Sequence, residues 1–167
     1  MGHIHSDTEY DFTVCGYLIH GDKTLLIKHK YLPLWGAPGG HVELHETPID
    51  AVYHEILEEA GIEKSHLTLI QPFDDGRDLE RDKNSQHIPV PFDIDTHPIG
   101  DAGHRHIDFA YIFLCDTDVV TPGEGESSEF KWFTADEIAS FENRKGINAQ
   151  AMYALKFASI YRNSHTG

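Results

Sequence analysis

Residues 40–62 read GHVELHETPIDAVYHEILEEAGI, and three of the glutamates, Glu55, Glu58 and Glu59, crowd into residues 55–59. On a helix these three share one arc, roughly 100° wide. Like charges at that spacing repel. The arc becomes favourable when a hard divalent cation sits among the carboxylates. Mg²⁺ takes oxygen ligands, keeps several waters and bridges to phosphate. The chemistry on offer is therefore binding of a hard divalent cation that can bridge to a phosphate group. The same triplet also fits a solvated acidic helix face.

The neighbouring sequence supplies a scaffold for such an arc. Thr47 is suited to cap a helix, Pro48 to open it and Asp50 to close the cap three residues on. Gly61 is a natural stop. Ile49, Val52, Ile56 and Ala60 fall on a different face, which should pack on a sheet. Upstream, residues 12–19 and 24–28 read as a strand hairpin around Gly21-Asp22. Residues 31–40 are loop-like, broken by Pro33, Gly36, Pro38 and the Gly39-Gly40 pair. Downstream, 67–73, 107–115 and 129–133 read as strands. Residues 134–138 open a short helix at Thr134, and 148–161 form a last helix with Met152, Leu155, Phe157, Ala158 and Ile160 as its apolar positions. Residues 74–105 form a long charged, Pro-rich stretch with an irregular hairpin around 89–99. Loops of that length are uncommon unless functional.

The wider spacing resembles the Nudix hydrolases, whose signature is Gly-x5-Glu-x7-Arg-Glu-Φ-x-Glu-Glu-x-Gly-Φ with Φ aliphatic. Here Gly40, Glu46, Glu55, Ile56, Glu58, Glu59, Gly61 and Ile62 match, and His54 stands where the family has Arg. The resemblance extends over residues 12–133 and implies an α/β class protein, a Nudix-type α/β/α sandwich with a mixed β-sheet. We take residues 1–167 as one such domain, with 1–11 as an N-terminal extension. The implied activity is hydrolysis of a nucleoside diphosphate linked to another moiety, with Mg²⁺ or Mn²⁺ as cofactor and a small nucleotide-type diphosphate as substrate. The implied metal ligands are Glu55, Glu58, Glu59 and the Gly39 carbonyl, with Glu55 also a base for water. In the family, Glu46 holds the box arginine. Family members add an acid from outside the box. Glu126 and Glu129 are the candidates, with Glu126 favoured by its spacing from Trp132; each also reads as a solvated loop acid.

His54 is the departure. Arginine presents a permanently charged fork to carboxylates; histidine cannot, but it can pair with Glu58 one turn on or with Glu46. If protonated, it would hold the acid cluster, and activity would decline as pH rises. A non-hydrolysing nucleotide-binding module with an altered box is one rival reading. A prenyl-diphosphate isomerase of the same fold is another, and it would need a nucleophilic cysteine.

Outside the box the signals are weaker. Lys28, His29, Lys30 and Arg105 are candidates to meet phosphate oxygens, although Lys28 and Lys30 also fit a solvated surface. Trp35, Tyr31 and Phe92 could stack on a base, and Trp35 could instead anchor the core. His41 follows the Gly-Gly pair and suits either the cleft or a structural role. In HRHIDFAY, alternation puts His104, His106 and Asp108 on one face and Arg105 on the other. That set could line the cleft, bind a second metal, or form a hydrogen-bonded cluster at a strand end.

Composition limits the partners. A net charge of −15, from 28 acids against 13 Lys plus Arg, disfavours broad binding to nucleic acid or anionic membrane. No apolar run approaches the roughly 20 residues a span requires, and the start lacks a signal-peptide pattern, so a cytoplasmic protein is expected. Cys15 and Cys115 sit in apolar runs and read as small buried hydrophobes. His3 and His5 read as solvated or weakly metal-binding. A homodimer is the default among homo-oligomers.

Overall fold

The structure is a computed structural model describing residues 10–73, 82–99 and 103–165. The expectations for His3 and His5, and for the 74–81 and 100–102 parts of the long charged stretch, lie outside the described residues. In chain order the elements are β1 Tyr10–His20, β2 Lys23–Lys28, β3 Trp35–Gly36, β4 Gly39–His41, α1 Pro48–Ala60, β5 Leu67–Ile70, β6 Asp93–Pro98, β7 Arg105–Cys115, β8 Phe130–Thr134, α2 Ala135–Ser140 and α3 Lys145–His165.

The sheet is mixed, as expected. β1 and β7 run parallel at its centre, from Tyr10 beside Arg105 to Ile19 beside Leu114. All other pairings are antiparallel. Each central strand changes partner along its length. β1 pairs with β4 near its start and with β2 near its end. β7 pairs with β6 and then with β5. At the amino-terminal ends of both central strands the flanking partners are therefore β4 and β6 rather than β2 and β5, and the chemistry-bearing residues gather there.

Period-two alternation divides the apolar residues between two layers. Val14, Leu18, Leu25, Tyr111 and Phe113 pack under α1 with Val52, Ile56 and Ala60. Tyr17, Ile19, Leu26, Ala110 and Ile112 pack under α3 on the other face. Burying each large aliphatic contributes about 1.5–3 kcal/mol, so the two layers clamp the sheet between helices. The result is the expected α/β/α sandwich.

Several boundaries differ from expectation. β1 begins at Tyr10 and Asp11 is 1% exposed, so the amino-terminal extension stops short of residue 11. The 31–40 segment carries two short strands rather than loop alone, because its backbone pairs with β2 and β1. β5 ends at Ile70. In α3 the buried positions are Ala151, Ala154, Leu155 and Ala158, while Met152 and Ile160 are exposed. The buried set follows i, i+3, i+4, i+7, and Met152 and Ile160 lie off that stripe.

Candidate active site

The glutamates are delivered by α1, whose ends are fixed locally. The Thr47 hydroxyl accepts from the Asp50 N–H while the Asp50 carboxylate accepts from the Thr47 N–H. At the other end Gly61 adopts φ 66° and donates its N–H to the Leu57 carbonyl at 3.0 Å. Ile49, Val52, Ile56 and Ala60 are buried, which turns Glu55, Glu58 and Glu59 toward β4.

Close approach to β4 requires glycine. A Cβ on Gly40 would overlap the Glu55 carboxylate, and one on Gly39 would collide with the Val14 carbonyl. With neither present, the Gly39 N–H donates to Glu59 Oε2 at 2.9 Å. The 121–126 loop closes over the carboxy-terminal end of α1. Thr121 N–H donates to the Ala60 carbonyl and Gly123 N–H to the Glu58 carbonyl, both at 2.8 Å, satisfying carbonyls that a helix end leaves open. A turn from Glu126 N–H to the Gly123 carbonyl then aims Glu126 at the same cleft.

These residues line a cavity of about 420 Å³ that takes in Gly39, Glu55, Glu58, Glu59, Glu126 and Lys28. Lys30 lies 3.1 Å from Glu126. Burial pushes the Glu55 carboxyl up to about 8, with the charges of Glu59, Glu58, Glu46 and Glu126 adding to the rise. Burial raises Glu59 to about 7, against a lowering by the Gly39 N–H bond and Lys30. Both shifts report acids packed together without enough positive charge. Hard oxygen donors in that condition fit a divalent cation such as Mg²⁺ or Mn²⁺.

His54 reaches both expected partners unequally. Its Nε2 lies 3.2 Å from Glu58 Oε1, and its Nδ1 lies 3.8 Å from Glu46 Oε2, beyond hydrogen-bond range. Glu46 is held instead by accepting the Glu43 N–H at 2.9 Å. The Glu43 backbone thus anchors the carboxylate that the family's arginine would fix.

A second cavity of about 540 Å³ adjoins the first, and Gly39, Gly40, His29 and His41 line both. Its floor carries Asp108, which accepts from Thr13 Oγ1 at 2.7 Å and Cys15 Sγ at 3.1 Å. Burial raises Asp108 and lifts the Cys15 thiol well above its usual range, with Asp108 adding to the latter. Cys15 is thus a half-buried hydrogen-bond donor in a cavity wall, not the apolar filler expected from its run, and it is not a poised thiolate. Cys115 is buried as expected.

The remaining candidates separate cleanly. His41 and His106 reach the second cavity. Lys28 reaches the rim of the first but is ion-paired with Glu129 at 2.8 Å, and this pairing directs Glu129 away from the cleft. Arg105 is not brought to either cavity; it hydrogen-bonds Thr96 across the β6–β7 pair, because alternation turns it to the face opposite His106. Trp35 is a core anchor rather than a base-stacking residue. Its ring meets Phe133 and Phe141 edge-on, and the Asn143 side chain holds its backbone through both N–H and C=O. Phe92 packs on Tyr17 and stacks on Tyr153, and Tyr31 sits exposed at the rim of the first cavity.

Sequence reasoning missed Asp11, Asp95, His97, Arg144 and Gln150. Asp11 is buried next to His41 and His104, and the other four line the second cavity. Gln150 donates to Asp93 and Asp95 from α3. Alternation could have put Asp11 on the face of Thr13, but only the β1–β7 register sets it beside His106.

Comparison with known proteins bears on this geometry. The NUDIX domain family profile matches residues 10–155. A Lactococcus lactis subsp. cremoris (strain MG1363) protein described as a probable DHNTP pyrophosphohydrolase is 30% identical over 112 residues, covering 67% of this chain and 55% of its own length. The chain thus spans about half of that relative. An RNA pyrophosphohydrolase from Hydrogenovibrio crunogenus (strain DSM 25203 / XCL-2) is 25% identical over 150 residues, covering 84% of this chain and 85% of the relative. Among solved structures, a NUDIX-family hydrolase from Clostridium perfringens superposes with a TM-score of 0.74 at 28% identity, covering 89% of this chain and 97% of that one.

Proposed function

The chain belongs to the NUDIX family, and from that premise we propose that it is a divalent-metal-dependent pyrophosphohydrolase acting on a small nucleotide-type diphosphate. The observation that carries the proposal is the convergence of Glu55, Glu58, Glu59 and Glu126 on one cavity, with the Glu55 and Glu59 carboxyls raised to about 8 and about 7. Glu55, Glu58 and Glu59, joined by the Gly39 carbonyl and Glu126, would hold Mg²⁺ or Mn²⁺. When bound, the cation supplies charge neutralisation at phosphate oxygens and acidifies water.

The chain's own groups do the rest. Glu55, once ionised, accepts the proton of the attacking water. The new O–P bond forms as the bridging P–O bond breaks, and the leaving phosphate departs with the bridging oxygen. Lys30, Lys28 and Arg144 are the nearby cations, and they meet phosphate oxygens on the two cavity rims. His54, 3.2 Å from Glu58, keeps that carboxylate aimed along the arc. The second cavity, with His41, His106 and Asp108 on its walls, receives the remainder of the substrate. The raised Cys15 thiol weighs against the isomerase reading, and the intact carboxylate set weighs against a non-hydrolysing module. We propose a cytoplasmic location, with which the free thiols of Cys15 and Cys115 are compatible.

The test is a panel of nucleoside triphosphates, dinucleoside polyphosphates and nucleotide sugars, incubated with Mg²⁺ beside Glu58→Gln. Release of phosphate or pyrophosphate with a mononucleotide, lost in a folded Glu58→Gln, is expected. Metal-independent binding of panel nucleotides with no turnover would overturn the proposal in favour of the binding module.

A further inference from the structure

Away from the carboxylates, the amino-terminal ends of the two central strands gather a second set of donors. Asp11 comes from β1, His41 from the end of β4, His104 from just before β7 and His106 from β7 itself. Asp11, His104 and His106 each place one ligand atom within 4.8 Å of the other two. His41 Nε2 and His104 Nε2 lie 3.6 Å and 3.2 Å from the same Asp11 oxygen. The His41 and His106 rings meet edge-on with centroids 5.0 Å apart, and the His104 and His106 rings do so at 5.5 Å. We propose that Asp11, His41, His104 and His106 form a binding site for a divalent transition-metal ion of the Zn²⁺ type, distinct from the carboxylate site.

The spacing carries the assignment. A tetrahedral ion with bonds of about 2.0–2.1 Å holds its ligand atoms about 3.3 Å apart. The two distances to the Asp11 oxygen bracket that value, and ligand atoms of Asp11, His104 and His106 lie within 4.8 Å of one another. A purely hydrogen-bonded cluster accounts for less. Both His41 and His104 converge on a single carboxylate oxygen, and His106 Nε2 is buried with no hydrogen bond among the described residues.

The donor chemistry separates the two sites. Three imidazoles and one carboxylate suit Zn²⁺ and its transition-metal neighbours, whereas an all-oxygen set suits Mg²⁺. The ion would cross-link the side chains of β1, β4 and β7, whose backbones are already paired at this end of the sheet. Because His41 lies two residues beyond Gly39, it would also fix the strand that carries the Gly-Gly pair.

The experiment uses the full chain with His3→Ala and His5→Ala, so that the terminal histidines do not compete. The protein is stripped with chelator and exchanged into excess Mg²⁺. Zn²⁺ is then added, and bound zinc per chain is measured by elemental analysis after gel filtration. Co²⁺ replaces Zn²⁺ in a parallel sample, read by its visible tetrahedral absorption. One retained zinc per chain is expected, together with a higher melting temperature. Affinity should fall at least tenfold in His104→Gln and in His106→Gln, and should persist in Glu58→Gln. If His106→Gln fails to fold by circular dichroism, His104→Gln and His41→Gln carry the test. No retained zinc, zinc that survives both histidine substitutions, or zinc lost in Glu58→Gln would each overturn the site.

Discussion

Two clusters of ionisable groups sit on either side of β4, and burial moves them in opposite directions. At the carboxylate cluster it forces protons on, raising Glu55 to about 8 and Glu59 to about 7. At the histidine cluster it forces them off, lowering His106 to about 4. The physical cause is shared: a low-dielectric site with like charges nearby disfavours the charged form. The consequence differs. A metal must displace protons from Glu55 and Glu59 to bind near neutral pH, whereas His106 is already a free donor there. One region holds hard oxygens, three of them from one helix, and the other holds imidazoles from β4, β7 and the residue just before β7.

The largest expected effect tests the carboxylate side. Glu58→Gln should lower kcat/KM by on the order of 10²–10³-fold while circular dichroism stays native. Retained turnover would remove the carboxylate cluster from the chemistry and collapse the contrast.

The next effect concerns the proton on Glu55. Its folded pKa lies above the unfolded value, so the folded state binds more protons between about pH 4.5 and about pH 8. In metal-free protein this group therefore costs nothing at the acidic end of that window and costs progressively more as pH rises through it. Glu55→Gln removes the charge, so the metal-free variant should melt higher than the native protein near pH 8, by a few degrees, and alike near pH 5. Saturating Mg²⁺ should reverse the order at pH 8, because the native protein, with its full set of carboxylates, gains more from the ion. Equal melting of both proteins at both pH values would show that the acids are not crowded.

A smaller, few-fold effect is expected at His54. His54 Nε2 lies 3.2 Å from Glu58 Oε1, where an arginine would present a charged fork. His54→Ala should lower kcat/KM a few-fold at saturating Mg²⁺, and His54→Arg should restore it. Unchanged kcat/KM in His54→Ala would mean that the His54–Glu58 contact does not position the cluster.

The smallest effect sharpens the histidine side. Arg105 stands between His104 and His106 in sequence but bonds to Thr96 on the opposite face. Arg105→Ala should leave bound zinc unchanged and shift the melting temperature by no more than about 2 °C, as surface substitutions do. A loss of zinc binding comparable with that of His106→Gln would break the separation of faces.

The sequence by itself determined what is local. Capping by Thr47 and Asp50, the Gly61 stop and the face occupied by Ile49, Val52, Ile56 and Ala60 all lie within one helix, so residue spacing fixed which acids share an arc. Strand alternation likewise put His106 and Asp108 on a face that excludes Arg105. Only the tertiary structure decided the rest. It took the β1–β7 register to lay Asp11 beside His106, and bonds from the 121–126 loop to the end of α1 to bring in Glu126 rather than Glu129. It turned Trp35 into the core and opened Cys15 to a cavity through packing by Phe133, Phe141 and Asp108. Helical periodicity is set by a few neighbouring residues, whereas strand register and loop closure depend on backbone partners up to about a hundred residues away, which no local pattern encodes.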